Sequence, residues 1–330
     1  MNRFEWTNAR SVDEAIAQLT GSAVIKAGGV DLLDRLKEGL EAPERLVNIR
    51  NISGLDFIRD DARDGGFLRI GPLVTLANLA SDPTVRRRYT ALADAAGHAA
   101  TPQIRNMATV GGNLLQRPRC WYFRSEQFHC LKKGGSRCFA REGENQYHAI
   151  YGNDICAIVH PSGVATALVA LNAKLELTGP KGKREVALEE FFVTPEKDVR
   201  RENSLGANEL LTEIRVPAPT EGTRSVYIKQ REKESFDWPI ADVSVALSCK
   251  GASCSQASIV LGAAAPVPLR ARQAEAALAG KTINKETARA AARLAVSGAT
   301  PLSQNAYKVP IFEVIVRRAI LAAAAGSGGA

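Results

Sequence analysis

The chain has 330 residues, of which 45% are hydrophobic and 24% charged, as in an ordinary globular protein. A chain of this length usually divides its core, so we expect two or three compact lobes. The formal net charge is +8, but the aromatic residues are not interleaved with lysine and arginine as a base-stacking surface requires, which argues against nucleic-acid binding. No apolar run could cross a bilayer, and the first residues lack the hydrophobic region of a secretory signal. We therefore expect no membrane span and folding in the reducing cytoplasm, where cysteines are rarely paired.

The first third of the sequence predicts short helices and strands joined by a glycine turn. Ser11 followed by Glu14 is a capping-box pattern, which predicts the start of a helix. The apolar run at 23–25, followed by "KAGGVDLLDRLKEG", predicts a strand, a glycine turn and a helix. Further strands are predicted at 45–49 and 65–71, the second followed by a helix.

The second half of the sequence predicts a mixed α+β organisation. Residues 161–179 predict a short helix followed by a strand. A break rich in proline and glycine within 210–225 predicts a lobe boundary. Beyond it, 240–250 and 254–266 predict neighbouring strands of an antiparallel sheet. Two amphipathic helices, "KETARAAARLAVSG" and "VPIFEVIVRRAILAAAA", complete this part.

The glycine turn "AGGVD" lies between a predicted strand and a predicted helix, at 27–31. Two glycines allow positive φ angles and let a ligand approach the backbone amides. The helix that follows offers unpaired N–H groups and the positive end of its dipole, which suits a phosphate. A tight turn without a ligand is the alternative. The turn lacks the spacing of a Rossmann fingerprint or a P-loop, so neither class is predicted.

A second glycine-bearing loop, "TPQIRNMATVGGN", covers 101–113. Its threonines, arginine and asparagines are hydrogen-bond donors, and its glycine pair allows close approach of a ligand. A polar surface loop is the alternative. Because a diphosphate cofactor needs donors from more than one side, two such loops indicate a cofactor held between lobes.

Four cysteines, Cys120, Cys130, Cys138 and Cys156, gather in one segment of the chain. No C-x-x-C pair occurs among them, which argues against a zinc ribbon. Nearby histidines keep a mixed Cys/His zinc site open. A catalytic thiol needs a base and an orienting group, and disulfides need an oxidising compartment. A [4Fe–4S] cluster needs four thiolates converging from loops of any spacing, so it is also open.

Several motifs together resemble the FAD-binding medium subunit of molybdenum hydroxylases. They are "KAGGVDLLDRLK", "LRIGPLVTLANLA", "TPQIRNMATVGGNLLQ", "HPSGVATALVALNA" and "VSVAL", in the expected order. The resemblance covers about 4–322. It implies an α+β protein with a two-lobe FAD-binding fold of the vanillyl-alcohol-oxidase type, plus a C-terminal lobe of the CO-dehydrogenase flavoprotein type. The implied domains are a FAD-binding domain at 1–217 and a C-terminal lobe at 223–325. The Gly/Ser composition of 326–330 predicts a flexible tail.

The resemblance also implies which residues hold the FAD. The first loop would cradle the pyrophosphate, the second would wrap the cofactor, and a lysine of the C-terminal lobe would lie near the flavin ring. By position these residues are Lys26, Ala27, Gly28, Gly29, Val30, Asp31, Leu32, Thr101, Ile104, Thr109, Gly112, Asn113 and Lys229. One position departs from the family, which usually has an aspartate where this chain has Gly163.

The cysteine segment resembles an insertion, here at about 117–160, that characterises a subgroup of these subunits. That subgroup includes the flavoprotein subunits of 4-hydroxybenzoyl-CoA reductase and of bacterial periplasmic aldehyde oxidoreductases. The resemblance implies that all four cysteines bind one [4Fe–4S] cluster.

The function implied is that of an electron-transfer subunit without catalytic acid or base residues. Its partners would be a large molybdopterin-binding subunit and a small [2Fe–2S] subunit, in a heterotrimer or a dimer of heterotrimers, and an external electron acceptor. An aldehyde or an N-heterocycle would be oxidised on the large subunit. The compartment would be the cytoplasm, or the periplasm by co-export with a partner.

Two rival functions are kept. One is a zinc-binding interaction protein without flavin. The other is a self-contained FAD oxidase, which normally brings a large substrate domain and often a covalent flavin link.

Overall fold

The computed structural model describes residues 2–61, 66–250 and 253–325. The first part of the chain contains β1 (Glu5–Asn8), α1 (Val12–Ala17), β2 (Ala23–Lys26), α2 (Val30–Lys37), β3 (Arg45–Asn48), β4 (Ile58–Asp60), β5 (Phe67–Ile70), α3 (Leu76–Ser81), α4 (Pro83–Arg88), α5 (Thr90–Gly97), α6 (Pro102–Met107), α7 (Val110–Leu114), α8 (Trp121–Arg124), α9 (Gly163–Ala170), β6 (Lys174–Gly179), β7 (Gly182–Ala187), α10 (Leu188–Phe191) and β8 (Leu210–Pro217). The last part contains β9 (Thr223–Gln230), β10 (Ala241–Lys250), β11 (Ser253–Gly262), β12 (Leu269–Arg270), α11 (Arg272–Leu278), α12 (Lys285–Val296) and α13 (Lys308–Ala325).

The first lobe is built on a small parallel sheet. Its strand order is β1-β3-β2, and both pairs are parallel. The Ser11 hydroxyl accepts a hydrogen bond from the amide of Glu14, which confirms the predicted helix start. The Glu14 carboxylate accepts from the amide of Arg10 and not from that of Ser11. Val47 and Leu46 are fully buried, so this short sheet forms the lobe's core.

The second lobe is an antiparallel five-stranded sheet with helices on it. The strand order is β4-β5-β8-β6-β7, so β8 returns from far along the chain to the middle of the sheet. The buried residues of β5, β6 and β8 share one apolar core with α3, α4, α5 and α9. Leu68 and Ile70 of β5 are fully buried in it.

The third lobe is an antiparallel four-stranded sheet, in the order β12-β11-β10-β9. β10 and β11 are neighbours, as predicted. Helix α13 packs on β9 and β10, while α5 and α9 of the second lobe also contact the sheet. The third lobe is therefore joined to the second through packed helices, which brings β9 beside the glycine loops.

The second glycine loop differs from the expected irregular loop. It folds as α6 and α7, two short helices. The Thr101 hydroxyl accepts from the amide of Ile104, and the Thr109 hydroxyl accepts from the amide of Gly112. Two N-terminal threonine caps, one followed by a proline in the first turn, favour helix over loop.

The remaining architecture agrees with the predicted α+β class. The tail predicted at 326–330 lies outside the described residues. In the part of the chain that is described, no helix is both long enough and apolar enough to span a bilayer.

Candidate functional site

A cavity of about 250 Å³ lies where the three lobes meet. Its walls come from the glycine turn before α2, the segment from α5 to α7, the start of β8, and the loop between β9 and β10. Apolar side chains such as Leu73, Leu76 and Leu210 form much of the surface, with a few polar groups among them. A cavity of this composition is typical of a cofactor site.

The first glycine turn is shaped for close contact. Gly29 has φ +84° and stands at the N-cap of α2, where no side chain caps the helix. The first amides of α2 therefore have no side-chain acceptor, and they lie at the end of the helix that borders the cavity. A Cβ at Gly28 would lie 2.1 Å from the carbonyl oxygen of Met107. The turn thus requires glycine because it packs against the end of α6.

The second loop is held in place by its own polar groups and by packing. A Cβ at Gly111 would lie 2.8 Å from Cβ of Pro72. The Ser162 hydroxyl donates to the Asn113 side-chain oxygen at 2.5 Å. Asn113 and Gly112 both line the cavity. The loop is therefore fixed on the side facing the cavity before any ligand arrives.

Most of the cofactor residues predicted from the sequence come together in this cavity. Those that line it are Ala27, Gly28, Gly29, Val30, Asp31, Leu32, Ile104, Thr109, Gly112, Asn113 and Lys229. Lys26 and Thr101 lie outside its lining. The Lys26 ammonium lies 5.3 Å from the centre of the Trp6 ring, and Thr101 caps α6. The contacts of all these residues with FAD remain predictions.

Asp31, in the first turn of α2, is surrounded by arginines. Arg35 lies 3.1 Å and Arg124 2.7 Å from its carboxylate, and Arg119 also pairs with it. The backbone amide of Arg117 donates to it at 3.1 Å. Burial alone would raise the pKa of Asp31, but the charges of the arginines outweigh it and hold the pKa below its ordinary value. Three guanidiniums therefore share the Asp31 carboxylate, and two of them are paired with further carboxylates as well: Arg35 with Glu41, and Arg124 with Asp34 and Glu38.

Lys229, Tyr227 and Asp242 form a polar group at the third lobe's wall. The Lys229 ammonium donates to the His98 carbonyl at 3.0 Å. Burial lowers the pKa of Lys229 to about 8, aided by Arg231 and opposed by Asp242. Burial raises the pKa of Asp242 to about 6, and it raises the pKa of Tyr227 well above its ordinary value. These neighbours are thus a lysine that titrates in an accessible range and a phenol that stays protonated.

The sequence did not reveal several residues of this site. Tyr227 and Arg119 line the cavity, as do Phe236 and Trp238 of the β9–β10 loop. The guanidinium of Arg119 lies 4.8 Å from the centre of the Trp238 ring. Trp238 is 51% exposed. In the sequence, the available signal was a pair of large aromatic residues, Phe236 and Trp238, a few positions after Lys229.

The four cysteines of the insertion line a separate, small cavity of about 10 Å³. The Cys120 sulfur lies 3.2 Å from Nε2 of His148. A hydrogen bond between the thiols of Cys138 and Cys156 lowers the pKa of Cys138 to about 6 and raises the pKa of Cys156. Burial raises the pKa of Cys120 to about 12.

The fold and the site define a two-lobe flavin-binding protein. One lobe carries the small parallel sheet, the other carries the five-stranded antiparallel sheet, and the two glycine loops lie between them. Over residues 2–219 the sequence matches the family described as the FAD binding domain in molybdopterin dehydrogenase. Residues 226–323 match the CO dehydrogenase flavoprotein C-terminal domain. The chain belongs to the FAD-binding medium subunits of the molybdenum hydroxylases.

Individual relatives resemble the chain over nearly its whole length. The aldehyde oxidoreductase FAD-binding subunit PaoB of Escherichia coli (strain K12) is 34% identical over 314 residues, which are 94% of each chain. The carbon monoxide dehydrogenase medium chain of Hydrogenophaga pseudoflava is 32% identical over 97% of each chain. A solved carbon monoxide dehydrogenase from Hydrogenophaga pseudoflava, lacking the Mo-pyranopterin moiety, matches with a TM-score of 0.76, 33% identity and 98% coverage of both chains.

The site fits the FAD of this family. The uncapped amides of α2 and the guanidiniums of Arg35 and Arg119 suit a diphosphate. Gly28 and Gly29 let the turn pack closely against Met107 and Leu33, and the turn itself lines the cavity. Apolar walls suit the flat ring systems of the cofactor.

The expected [4Fe–4S] cluster is contradicted and the cofactor assignment is corrected to FAD alone. Both matching families are described by FAD or flavoprotein domains. Within 2–61, 66–250 and 253–325, no group of three or more His, Cys, Asp or Glu side chains is arranged to hold a metal ion. This also argues against the mixed Cys/His zinc site. The space between the cysteines is about that of one water molecule. Instead, Cys120 and Cys138 pack against the small aromatic core of the insertion.

Proposed function

We propose that this chain is the FAD-carrying electron-transfer subunit of a molybdenum-dependent hydroxylase. In this proposal electrons arrive from a large molybdopterin-binding subunit by way of a small [2Fe–2S] subunit, and the FAD passes them to an external acceptor. The observation that carries it is the joint cavity of the two glycine loops, with Lys229 and Tyr227 on its third wall. The relatives named "FAD-binding subunit" and "medium chain" support a role as one part of a larger complex.

Bound FAD supplies hydride and electron transfer, and the chain's residues hold and shield it. The α2 amides and nearby arginines would bind the diphosphate. Lys229 would place a positive charge near the flavin end. Trp238 and Phe236, half exposed at the cavity's edge, would limit access of water and of the electron acceptor.

The proposed substrate class of the complex is an aldehyde, with N-heterocycles as the alternative. The name of the PaoB relative, an aldehyde oxidoreductase subunit, supports the first. The substrate would be bound and oxidised on the partner subunit. We further propose that the chain works in the cytoplasm, or in the periplasm after co-export with a partner. Fractionation of the native host with an antibody to this chain tests the compartment.

A visible spectrum of the purified chain is the direct test. A noncovalent flavoprotein should show flavin absorption bands, and denaturation should release about one FAD per chain. A colourless protein would favour the interaction-protein rival. Substrate turnover by the isolated chain would favour the self-contained oxidase. Turnover that requires the large and small subunits is the expected result.

A further inference from the structure

Gly163, the first residue of α9, lies against the ring of Tyr227. A Cβ at Gly163 would lie 2.2 Å from the Tyr227 hydroxyl oxygen and 3.0 Å from Cζ. No side chain fits there while Tyr227 keeps its place. Both residues line the cofactor cavity, so the phenol fills wall space that a residue with a side chain at 163 would occupy.

Tyr227 is backed by a carboxylate that is closed off from solvent. Asp242 is 1% exposed, on β10 opposite Lys229 of β9. The hydroxyls of Tyr227 and Thr166 approach its carboxylate. A Cβ at Gly262 would lie 2.0 Å from Asp242 Oδ1, so this carboxylate is enclosed on the far side too.

Asp242 is short of hydrogen-bond partners. Its Oδ1 is buried and has no hydrogen bond of regular geometry within the described residues. A buried carboxylate strongly favours any donor within reach, since a buried acceptor without a donor destabilises the folded protein. The Tyr227 O–H is such a donor. Once it points at Asp242, the lone pairs of the phenol oxygen face the cavity.

We propose that Tyr227 is a cofactor-contacting residue that accepts a hydrogen bond from an O–H or N–H group of the flavin half of FAD, and that Asp242 is the positioning residue that fixes its O–H direction. The inference deepens the proposed function and rests on its FAD site. It also gives a steric reason for glycine at 163, because a side chain there would displace the Tyr227 phenol.

The test is FAD binding by the full chain after its flavin has been removed and returned. Tyr227→Phe should weaken binding about tenfold, the loss of one hydrogen bond, and shift the visible spectrum of the bound flavin. Tyr151→Phe is the matched control, because its hydroxyl donates to the Ala295 carbonyl away from the cavity. It should bind within about twofold of wild type, a change below one hydrogen bond.

Asp242→Asn tests the positioning role. It should weaken FAD binding less than Tyr227→Phe and alter the flavin spectrum in the same direction. The double variant should bind no more weakly than Tyr227→Phe alone, because Asp242 acts through the phenol. Gly163→Ala should weaken FAD binding when it is the only change. In a chain that also carries Tyr227→Phe, it should weaken FAD binding less.

Two results would overturn the inference. One is a Tyr227→Phe variant with the FAD affinity and flavin spectrum of wild type. The other is a double variant whose loss of FAD affinity equals the sum of the losses in Tyr227→Phe and Asp242→Asn. A wild-type chain that takes up no FAD would instead refute the proposed function, and this inference with it. Circular dichroism of each variant separates a lost contact from a lost fold.

Discussion

Gly28 and Met107 are in contact through their backbones, one in each glycine loop. The carbonyl oxygen of Met107 occupies the place that a Cβ on Gly28 would take, at 2.1 Å. The two loops therefore form a single wall of the cofactor cavity, although 78 residues separate them in the sequence. A change at either position should therefore alter the shape of the whole diphosphate end of the site.

Gly28→Ala should separate the two loops and weaken FAD binding by at least about tenfold, because the obstructing atom is backbone and cannot rotate away. Gly97→Ala is the matched control. Its Cβ would lie 3.7 Å from Ala80, an ordinary contact. Titration of both variants with FAD, followed by flavin fluorescence, measures the difference. Equal affinities would show that the loops do not depend on this contact.

Asp31→Asn should loosen the insertion from α2. Asp31 is the shared partner of Arg119, Arg124 and Arg35, and its loss leaves guanidiniums close together with less compensating charge. We expect a loss of about 2 kcal/mol in the free energy of unfolding, below the range for fully buried pairs since the site keeps some exposure. Hydrogen exchange should rise at 117–124.

Asp34→Asn is the comparison for that variant. The Asp34 side chain is 54% exposed, and its carboxylate lies 3.3 Å from Arg124. Its replacement should change the unfolding free energy by less than about 0.5 kcal/mol, as for a surface pair. Identical exchange in the two variants would refute the special role of Asp31.

Lys229 should make the midpoint potential of bound FAD depend on pH near 8. Because burial lowers the pKa of Lys229 to about 8, its positive charge is present below that pH and lost above it. A positive charge favours the electron-richer flavin, so the potential should fall with an added slope above pH 8. Lys229→Met should lower the potential below pH 8 and lack the added slope.

Lys183→Met serves as the control for that experiment, because Lys183 is exposed on β7 and paired with Glu176. Its titration curve should overlay that of wild type. An unchanged curve in Lys229→Met would place the lysine out of electrostatic reach of the flavin.

The strand–turn–helix around Gly28 could be predicted because its signals are local: an apolar run, two glycines and a leucine stripe. The predicted cofactor residues were placed by the family resemblance and not by local signals, and most of them line the cavity. Arg119 and Arg124 could not be predicted as partners of Asp31, since they belong to the insertion and follow it by 88 and 93 residues in the chain. Tyr227 was missed because its importance depends on Gly163, a neighbour in space only.

The cysteines show another limit of sequence reasoning. Their grouping in the sequence does correspond to grouping in space, around one small cavity. The [4Fe–4S] expectation nevertheless failed, because spacing along the chain carries no information about the free volume between sulfurs or about burial of the thiols. Burial is the largest cause that raises the pKa of Cys120 to about 12, which disfavours the thiolate.

Asp242 should make stability fall as pH rises through about 6. The pKa of Asp242 is raised by burial to about 6 in the folded protein, against 3.8 unfolded, although Thr166, Lys229, Lys308 and Tyr227 oppose the shift. The folded state therefore holds this proton more tightly, and between pH 4 and 6 the contribution falls by about 3 kcal/mol. Asp242→Asn removes this dependence.

Urea unfolding of wild type and Asp242→Asn at pH 4.5 and 6 measures that contribution. Both pH values lie below the pKa values of the neighbouring Lys308, about 7, and Lys229, about 8, which Asp242 itself influences. The stability of the variant relative to wild type should increase from the lower to the higher pH. A constant difference would mean that Asp242 titrates as an exposed aspartate does.

The central claim is that this chain carries FAD as one subunit of a molybdenum hydroxylase. The most direct measurement is anaerobic addition of an aldehyde to the complex purified from its native host, and to this chain alone, while flavin absorbance near 450 nm is recorded. The account predicts about one FAD per chain, bleached by substrate in the complex and unchanged in the isolated chain. Bleaching in the isolated chain, or a complex in which this chain holds no flavin, would contradict it.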